Sequence, residues 1–234
     1  MRVKSLIPNT ITSMNLLCGV LGVIASFNSR PDLAFILMLA AAVFDFFDGM
    51  AARALGEYSE LGKELDSLSD DVSFGVLPAV MLHNAMRSLG CTGLWIYIPV
   101  IVAVFAALRL AKFNIDPRQS DSFIGLPSPS AAIICGSLCS FIYSAPTSMV
   151  AAVCAHCWVI PLFSIIISYL LVCELPMFAM KFGKGHKASK ATCIKRVAFM
   201  SVSVIIAVAV LISGLAWPLV FFLAFASYII INLF

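Results

Sequence analysis

Residues 45–70 read DFFDGMAARALGEYSELGKELDSLSD, and they join two apolar runs. The run before them, 33–44, contains no charge, and the run after them extends from Val72 to Met86. That second run is too short to span a bilayer, which takes roughly 20 residues. It crosses only if its helix begins near Lys63 and carries Asp66, Asp70 and Asp71 inward. The stretch is therefore the turn of a helical hairpin whose two members bring acids into their ends. Asp45 and Asp48 are three apart, and Asp66 and Asp70 four apart, so each pair shares one face of its helix. The loop between them is short, which makes the helices antiparallel neighbours with all four acids at the same end. An acid inside a membrane span is expensive and by default marks a site.

The rest of the chain agrees with a membrane setting. Of 234 residues, 62% are apolar and only 12% charged, with a mean hydropathy of +1.03. Soluble domains run at about 45–50% apolar and about 25% charged. A secreted disulfide scaffold, a disordered chain and a soluble nucleic-acid binder are excluded, and no nucleic-acid partner is expected. Apolar stretches predict eight helices, at about 12–28, 32–55, 64–86, 94–113, 128–144, 149–173, 196–213 and 216–234. The expected fold is an all-α integral membrane protein, one polytopic domain over 1–234, with membrane lipids around it. No internal repeat or linker suggests a second domain. No cleavable signal is expected either, since MRVKSLIP runs into a span with no small-residue cleavage site after it.

Lysine and arginine set the orientation. With the N-terminus inside and eight crossings, 13 of the 15 basic residues fall on the inner side, leaving Arg30 and Arg87 outside. The most basic stretch, KFGKGHKASKATCIKR (181–196), suits an inner loop against anionic headgroups. The site then faces the cytosol from the cell's inner, cytoplasmic membrane. Of the eight cysteines, Cys18, Cys135, Cys139, Cys154, Cys157 and Cys173 fall in apolar runs and are expected to be packing thiols. His83 and His156 are expected to be packed or interfacial. Pro127 and Pro129 mark the entry to the fifth helix, which Ser128 or Ser130 could cap.

Eight of the twelve acids lie between positions 45 and 71. Glu57, Glu60 and Glu64 suit a solvated loop. Four aspartates converging at low dielectric repel one another strongly unless a cation neutralises them. Oxygen-only ligands favour Mg²⁺ or Mn²⁺, since no His or Cys lies nearby. Gly49, Ala52 and Gly62 leave room for a ligand, and Arg53 offers a fork to a phosphate. A pyrophosphate substrate fits these residues. A proton or cation pathway through the acids is the non-enzymatic alternative, although a transporter would be expected to show related halves or broken helices near the midplane.

The pattern Asp45-x2-Asp48-Gly49-x2-Ala52-Arg53-x8-Gly62-x3-Asp66-x3-Asp70 resembles the complete signature of the CDP-alcohol phosphotransferases. GKELDSLSDDVSFGVLPA (62–79), ALRLAKFN (107–114) and FIGLPSPSAA (123–132) resemble segments of the bacterial-type (type II) phosphatidylserine synthase branch, and IPNTITSMN (7–15) its nucleotide-contacting N-terminus. The resemblance covers roughly residues 1–135. Lys112 stands where this branch more often has arginine.

The resemblance implies the CDP-alcohol phosphotransferase fold and assigns roles by position. Asp45, Asp48 and Asp66 would hold metal, two Mg²⁺ or Mn²⁺ ions, with Asp70 touching one and acting as general base. Asn9, Thr12, Gly49, Ala52, Arg53 and Gly62 would line the cytidine and diphosphate pocket. Arg109, at the inner end of the fourth helix, is a candidate substrate contact. The implied reaction is CDP-diacylglycerol plus L-serine giving phosphatidylserine and CMP, carried out by a homodimer. Archaetidylserine, phosphatidylglycerophosphate and inositol-phosphate types of the family are the enzymatic alternatives.

Overall fold

A computed structural model of the chain describes residues 3–56, 59–116, 123–178 and 190–233, and these are helical almost throughout. Helices α1 (Val3–Phe27) and α2 (Pro31–Leu55) pair along their lengths. Helix α3 (Glu60–Asp71) passes through a π-helical turn, Val72–Val76, into α4 (Leu77–Ser88), making one continuous rod. The next rod opens as a 3₁₀ helix, Leu94–Val100, and continues as α5 (Ile101–Ile115). Then follow α6 (Ser128–Ser144), α7 (Met149–Cys154), α8 (Val159–Val172), α9 (Lys190–Ile212) and α10 (Pro218–Leu233). With α7 and α8 as two parts of one crossing, the described helices match the eight expected spans. Leu6–Phe27, Pro31–Leu55, Leu94–Ile115 and Thr192–Ile212 are each long and apolar enough to cross a membrane. The chain is an all-α multi-pass membrane protein.

Small residues set how closely the rods approach, as expected where lipid gives no hydrophobic drive between helices. Gly19 lies so close to the π turn that a Cβ there would overlap Ser73, whose Cα is 3.0 Å away. Gly136 of α6 receives Phe35 and Met38 of α2, each 2.9 Å from a Cβ built on it. Phe35 and Met38 are fully buried and join α2 to α6, while Trp217 stacks on Phe35 and Phe221 meets it edge-on from the C-terminal end.

A small clasp ties the middle of the chain to its second half. Strand β1 (Phe123–Ile124) pairs antiparallel with β2 (Pro176–Met177). Gly125 N–H donates to the Leu175 carbonyl at 2.9 Å, and Leu126 N–H to Leu170 at 2.8 Å. Helix α10 holds the strand that follows, because Asn232 accepts from Phe178 N–H at 2.9 Å and the Tyr228 hydroxyl donates to the Phe178 carbonyl at 3.0 Å.

Four expectations need correction. The 149–173 helix is broken at residues 155–158, between α7 and α8. Cys157, in that break, is not a packing thiol: it is disulfide-bonded to Cys91 in the connection after α4, with Cα atoms 5.5 Å apart. Cys18, Cys135, Cys139, Cys154 and Cys173 are free, and all but half-buried Cys18 are buried. The basic stretch 181–196 is not all loop, since α9 begins at Lys190; Lys181, Lys184 and Lys187 lie outside the described residues, as do Glu57 and Arg118. Neither Ser128 nor Ser130 caps α6, whose N-cap position is Pro127, with no side-chain cap at all. His83 is packed as expected, its Nδ1 2.7 Å from the Ile96 carbonyl oxygen, and His156 lies exposed in the α7–α8 break.

Candidate active site

The hairpin 45–70 is built by its two caps. Helix α2 ends at Gly56, whose φ of +64° is left-handed and whose N–H reaches back to the Ala52 and Arg53 carbonyls. Helix α3 starts at Ser59, whose hydroxyl accepts from Gly62 N–H at 3.0 Å. With both ends fixed, Asp45 and Asp48 on α2 face Asp66 on α3. One carboxylate oxygen from each of these three lies within 4.8 Å of the other two.

Those acids have the unmet valence of a metal site. Asp48 Oδ2 and Asp66 Oδ1 are buried with no hydrogen-bond partner among the described residues. A buried anionic oxygen left unpaired costs several kcal/mol unless something positive meets it. Three carboxylates and no softer ligand fit a hard divalent cation. Asp70 is one helical turn further on and stands outside the triad: its Oδ1 accepts from Asn15 Nδ2 at 3.0 Å.

Beside the triad opens a cavity of about 290 Å³. The expected residues Asn9, Thr12, Gly49, Ala52, Arg53 and Gly62 all line it, with Asp48 and Asp66 at its wall. The glycines serve different ends. A Cβ on Gly49 would meet nothing within 4 Å, so that position borders open space; one on Gly62 would press on Ser59 Oγ at 3.0 Å and Asn9 Oδ1 at 3.1 Å. Gly62 lets α3 lie against α1. The Thr12 hydroxyl donates to the Pro8 carbonyl at 3.0 Å and also faces Asp48.

Arg109 stands apart from that cavity. It is only 7% exposed, and its Nη1 donates to Ser128 Oγ at 2.9 Å while its guanidinium lies 5.8 Å from the centre of the Phe113 ring. Its Nε is buried with no hydrogen-bond partner among the described residues. Among the described residues, Asp70 and Tyr228 are electrostatic neighbours of its guanidinium. Lys112 instead faces Glu174 at 3.9 Å near the surface.

The sequence pattern assigns no individual role to several residues at the site. Pro8, Ser59 and Lys63 also line the cavity, and Lys63 Nζ reaches the Asn114 carbonyl at 3.4 Å. Asn15, fully buried on α1, is another. A signal did exist: Asn9, Thr12 and Asn15 repeat every three residues, so a helix through them turns one polar edge toward the acids.

Comparison with known proteins bears on this geometry. The family model for CDP-alcohol phosphatidyltransferase matches residues 5–160, which include every site residue above except those of the C-terminal clasp. The CDP-diacylglycerol–serine O-phosphatidyltransferase of Bacillus subtilis (strain 168) is 34% identical over 170 residues, covering 72% of this chain and 88% of that protein. A protein of the same name from Methanocaldococcus jannaschii is 37% identical over 138 residues, 59% of this chain and 62% of the relative. The archaetidylserine synthase of Methanothermobacter thermautotrophicus is 35% identical over 133 residues, 56% of each chain.

Proposed function

The chain belongs to the CDP-alcohol phosphatidyltransferase family, and we propose that it transfers the phosphatidyl group of CDP-diacylglycerol to the hydroxyl of L-serine. The observation that carries this reading is the acid triad with unmet buried oxygens at the wall of the cavity. A buried arginine with free hydrogen-bonding capacity, Arg109, supplies a second and unlike subsite.

The donor's cytidine and diphosphate enter the cavity between α1, α2 and α3. Arg53 binds phosphate oxygens, and Asn9 and Thr12 contact the nucleotide. Asp45, Asp48 and Asp66, with Asp70 as a further contact, would hold Mg²⁺ or Mn²⁺, two ions in this reading. Metal held there would supply positive charge to neutralise the diphosphate and the developing charge on CMP. The acceptor serine lies toward Arg109, whose buried guanidinium suits a carboxylate better than any solvated cation. Asp70 takes the proton from the serine hydroxyl, which is a weak nucleophile without a base in reach. The serine oxygen bonds to the lipid-side phosphorus, the bond from that phosphorus to the CMP oxygen breaks, and CMP leaves with the pair of electrons.

We further propose that this site opens to the cytosol from the inner membrane. Two features support the orientation. The basic residues are biased to the end that holds the acids. The Cys91–Cys157 bridge closes on the connection after α4, which the eight-span topology puts on the outer side, and disulfides persist in oxidising compartments. Homodimerisation is proposed from the family resemblance.

The test is release of CMP by purified protein given CDP-diacylglycerol and a panel of acceptors. L-serine should support turnover, while glycerol 3-phosphate and inositol phosphate should not. Preferred use of either phosphorylated acceptor would refute the serine reading. A parallel donor with ether-linked chains separates the archaetidyl variant from the diacyl one.

A further inference from the structure

Asn15 is the least economical residue in α1. It is fully buried, and one polar atom of its side chain, Oδ1, is buried with no hydrogen-bond partner among the described residues. A leucine would fill that volume without leaving a polar atom unsatisfied. The amide's one side-chain bond goes to Asp70, Nδ2 to Oδ1 at 3.0 Å. Its orientation is dictated, because a carboxylate only accepts and only the NH₂ end of the amide donates.

The neighbourhood holds this amide in place. The Ser73 hydroxyl donates to the Asn15 backbone carbonyl at 3.1 Å, tying α1 to the π turn that begins two residues after Asp70. One turn further along α1, Gly19 meets the same Ser73 with no room for a side chain. Neither contact needs an amide at position 15. Packing explains where α1 runs, and the bond to Asp70 explains why the residue is asparagine.

Three of the four aspartates gather within 4.8 Å, and Asp70 is the one outside that group and held by an amide. We propose that Asn15 is a positioning residue for catalysis: by occupying Oδ1 it fixes the Asp70 carboxylate so that Oδ2 is presented to the acceptor hydroxyl. The inference rests on Asp70 being the base in the proposed function. Asn15 touches neither substrate nor metal in this scheme, and its effect passes through Asp70 alone.

The test is a double-mutant cycle in CMP release by the purified full-length protein, using Asn15→Leu, Asp70→Asn and the pair, with Asn15→Asp as an isosteric second probe. Losing a hydrogen bond to a charged group corresponds to about 10–100-fold. Asn15→Leu should lower kcat by that factor while KM for CDP-diacylglycerol and the Mn²⁺ concentration for half-activation stay within about twofold. Asn15→Asp, which keeps the shape but offers an acceptor to Asp70, should lower kcat at least as far. In the Asp70→Asn background, Asn15→Leu should have no further effect, since residues acting through one group are non-additive. Full additivity, an unchanged kcat in Asn15→Leu, or a loss appearing in KM instead would overturn the proposal. An Asp70→Asn protein with normal turnover would instead remove the base itself, and with it the functional reading beneath.

Discussion

Gly125→Ala is the perturbation that most directly tests how the second half of the chain serves the site. Gly125 has φ +80°, a conformation that costs an alanine about 1–2 kcal/mol. A Cβ there would sit 2.7 Å from the Leu171 carbonyl oxygen and 2.9 Å from that of Cys173. Both obstacles are backbone, so no side chain can swing aside, and forced overpacking costs typically about 1–3 kcal/mol. The stiffer unfolded chain returns about 0.4–1 kcal/mol. The destabilising terms win, with a net loss of about 1–4 kcal/mol. The relief available is to open the clasp, breaking the 2.9 and 2.8 Å bonds of Gly125 and Leu126 and releasing Ser128 from Arg109. Thermal melting followed by tryptophan fluorescence in detergent should therefore show a lower midpoint. The KM for serine should rise with little change in KM for CDP-diacylglycerol. Gly49→Ala is the control: with no atom within 4 Å it should melt like the parent, but its methyl should weaken donor binding. A Gly125→Ala protein with parental melting and parental serine KM would refute the role given to the clasp.

Further outcomes are expected elsewhere. Asp70→Asn should lower turnover by about 10²–10⁴-fold while CDP-diacylglycerol binding, measured by equilibrium dialysis, is largely retained. Asp45→Ala and Asp66→Ala should each abolish both activity and its response to added Mn²⁺, because each removes a ligand from an oxygen-only triad; full activity of chelator-treated parent protein would contradict this. On intact cells an impermeant maleimide should label Cys157 only after an impermeant reductant has been added, as the proposed sidedness requires. A single cysteine introduced at Ser29 should label directly, and one at Lys187 only after the membrane is opened.

The acids were legible in sequence because their cost is. Asp45, Asp48, Asp66 and Asp70 stand out wherever an apolar run should continue, and helical spacing alone puts each pair on one face. Their neighbours Gly49, Ala52, Arg53 and Gly62 followed from the same short stretch, and all line the cavity. What stayed hidden depends on contacts between distant segments. The bridge from Cys91 to Cys157 spans 66 residues, and nothing in the local run distinguishes Cys157 from the packing cysteines nearby. The π turn at Val72–Val76 has no compositional mark, yet it brings Ser73 under Asn15. Ser59 and Lys63 also stayed hidden, since the sequence cannot show that a helix cap and the lysine four residues on line a cavity.

Arg109 shows why half of this chain would be insufficient for the chemistry proposed. Its guanidinium is almost wholly buried, and it comes from α5 while its hydroxyl partner comes from the first residue of α6. The segment leading to Ser128 is pinned by carbonyls of α8 and of the turn after it. The strand beyond that turn is gripped in turn by Tyr228 and Asn232 of α10. A buried cation is tolerated only where its surroundings are fixed around it, because a mobile wall admits water and weakens the field that selects its ligand. In the proposed scheme the second half of the molecule would thus immobilise the acceptor side, as α1 and the 45–70 hairpin would shape the donor side. In the proposed reaction Asp70 would act between them, taking the proton of a hydroxyl held on one side while the phosphorus arrives from the other.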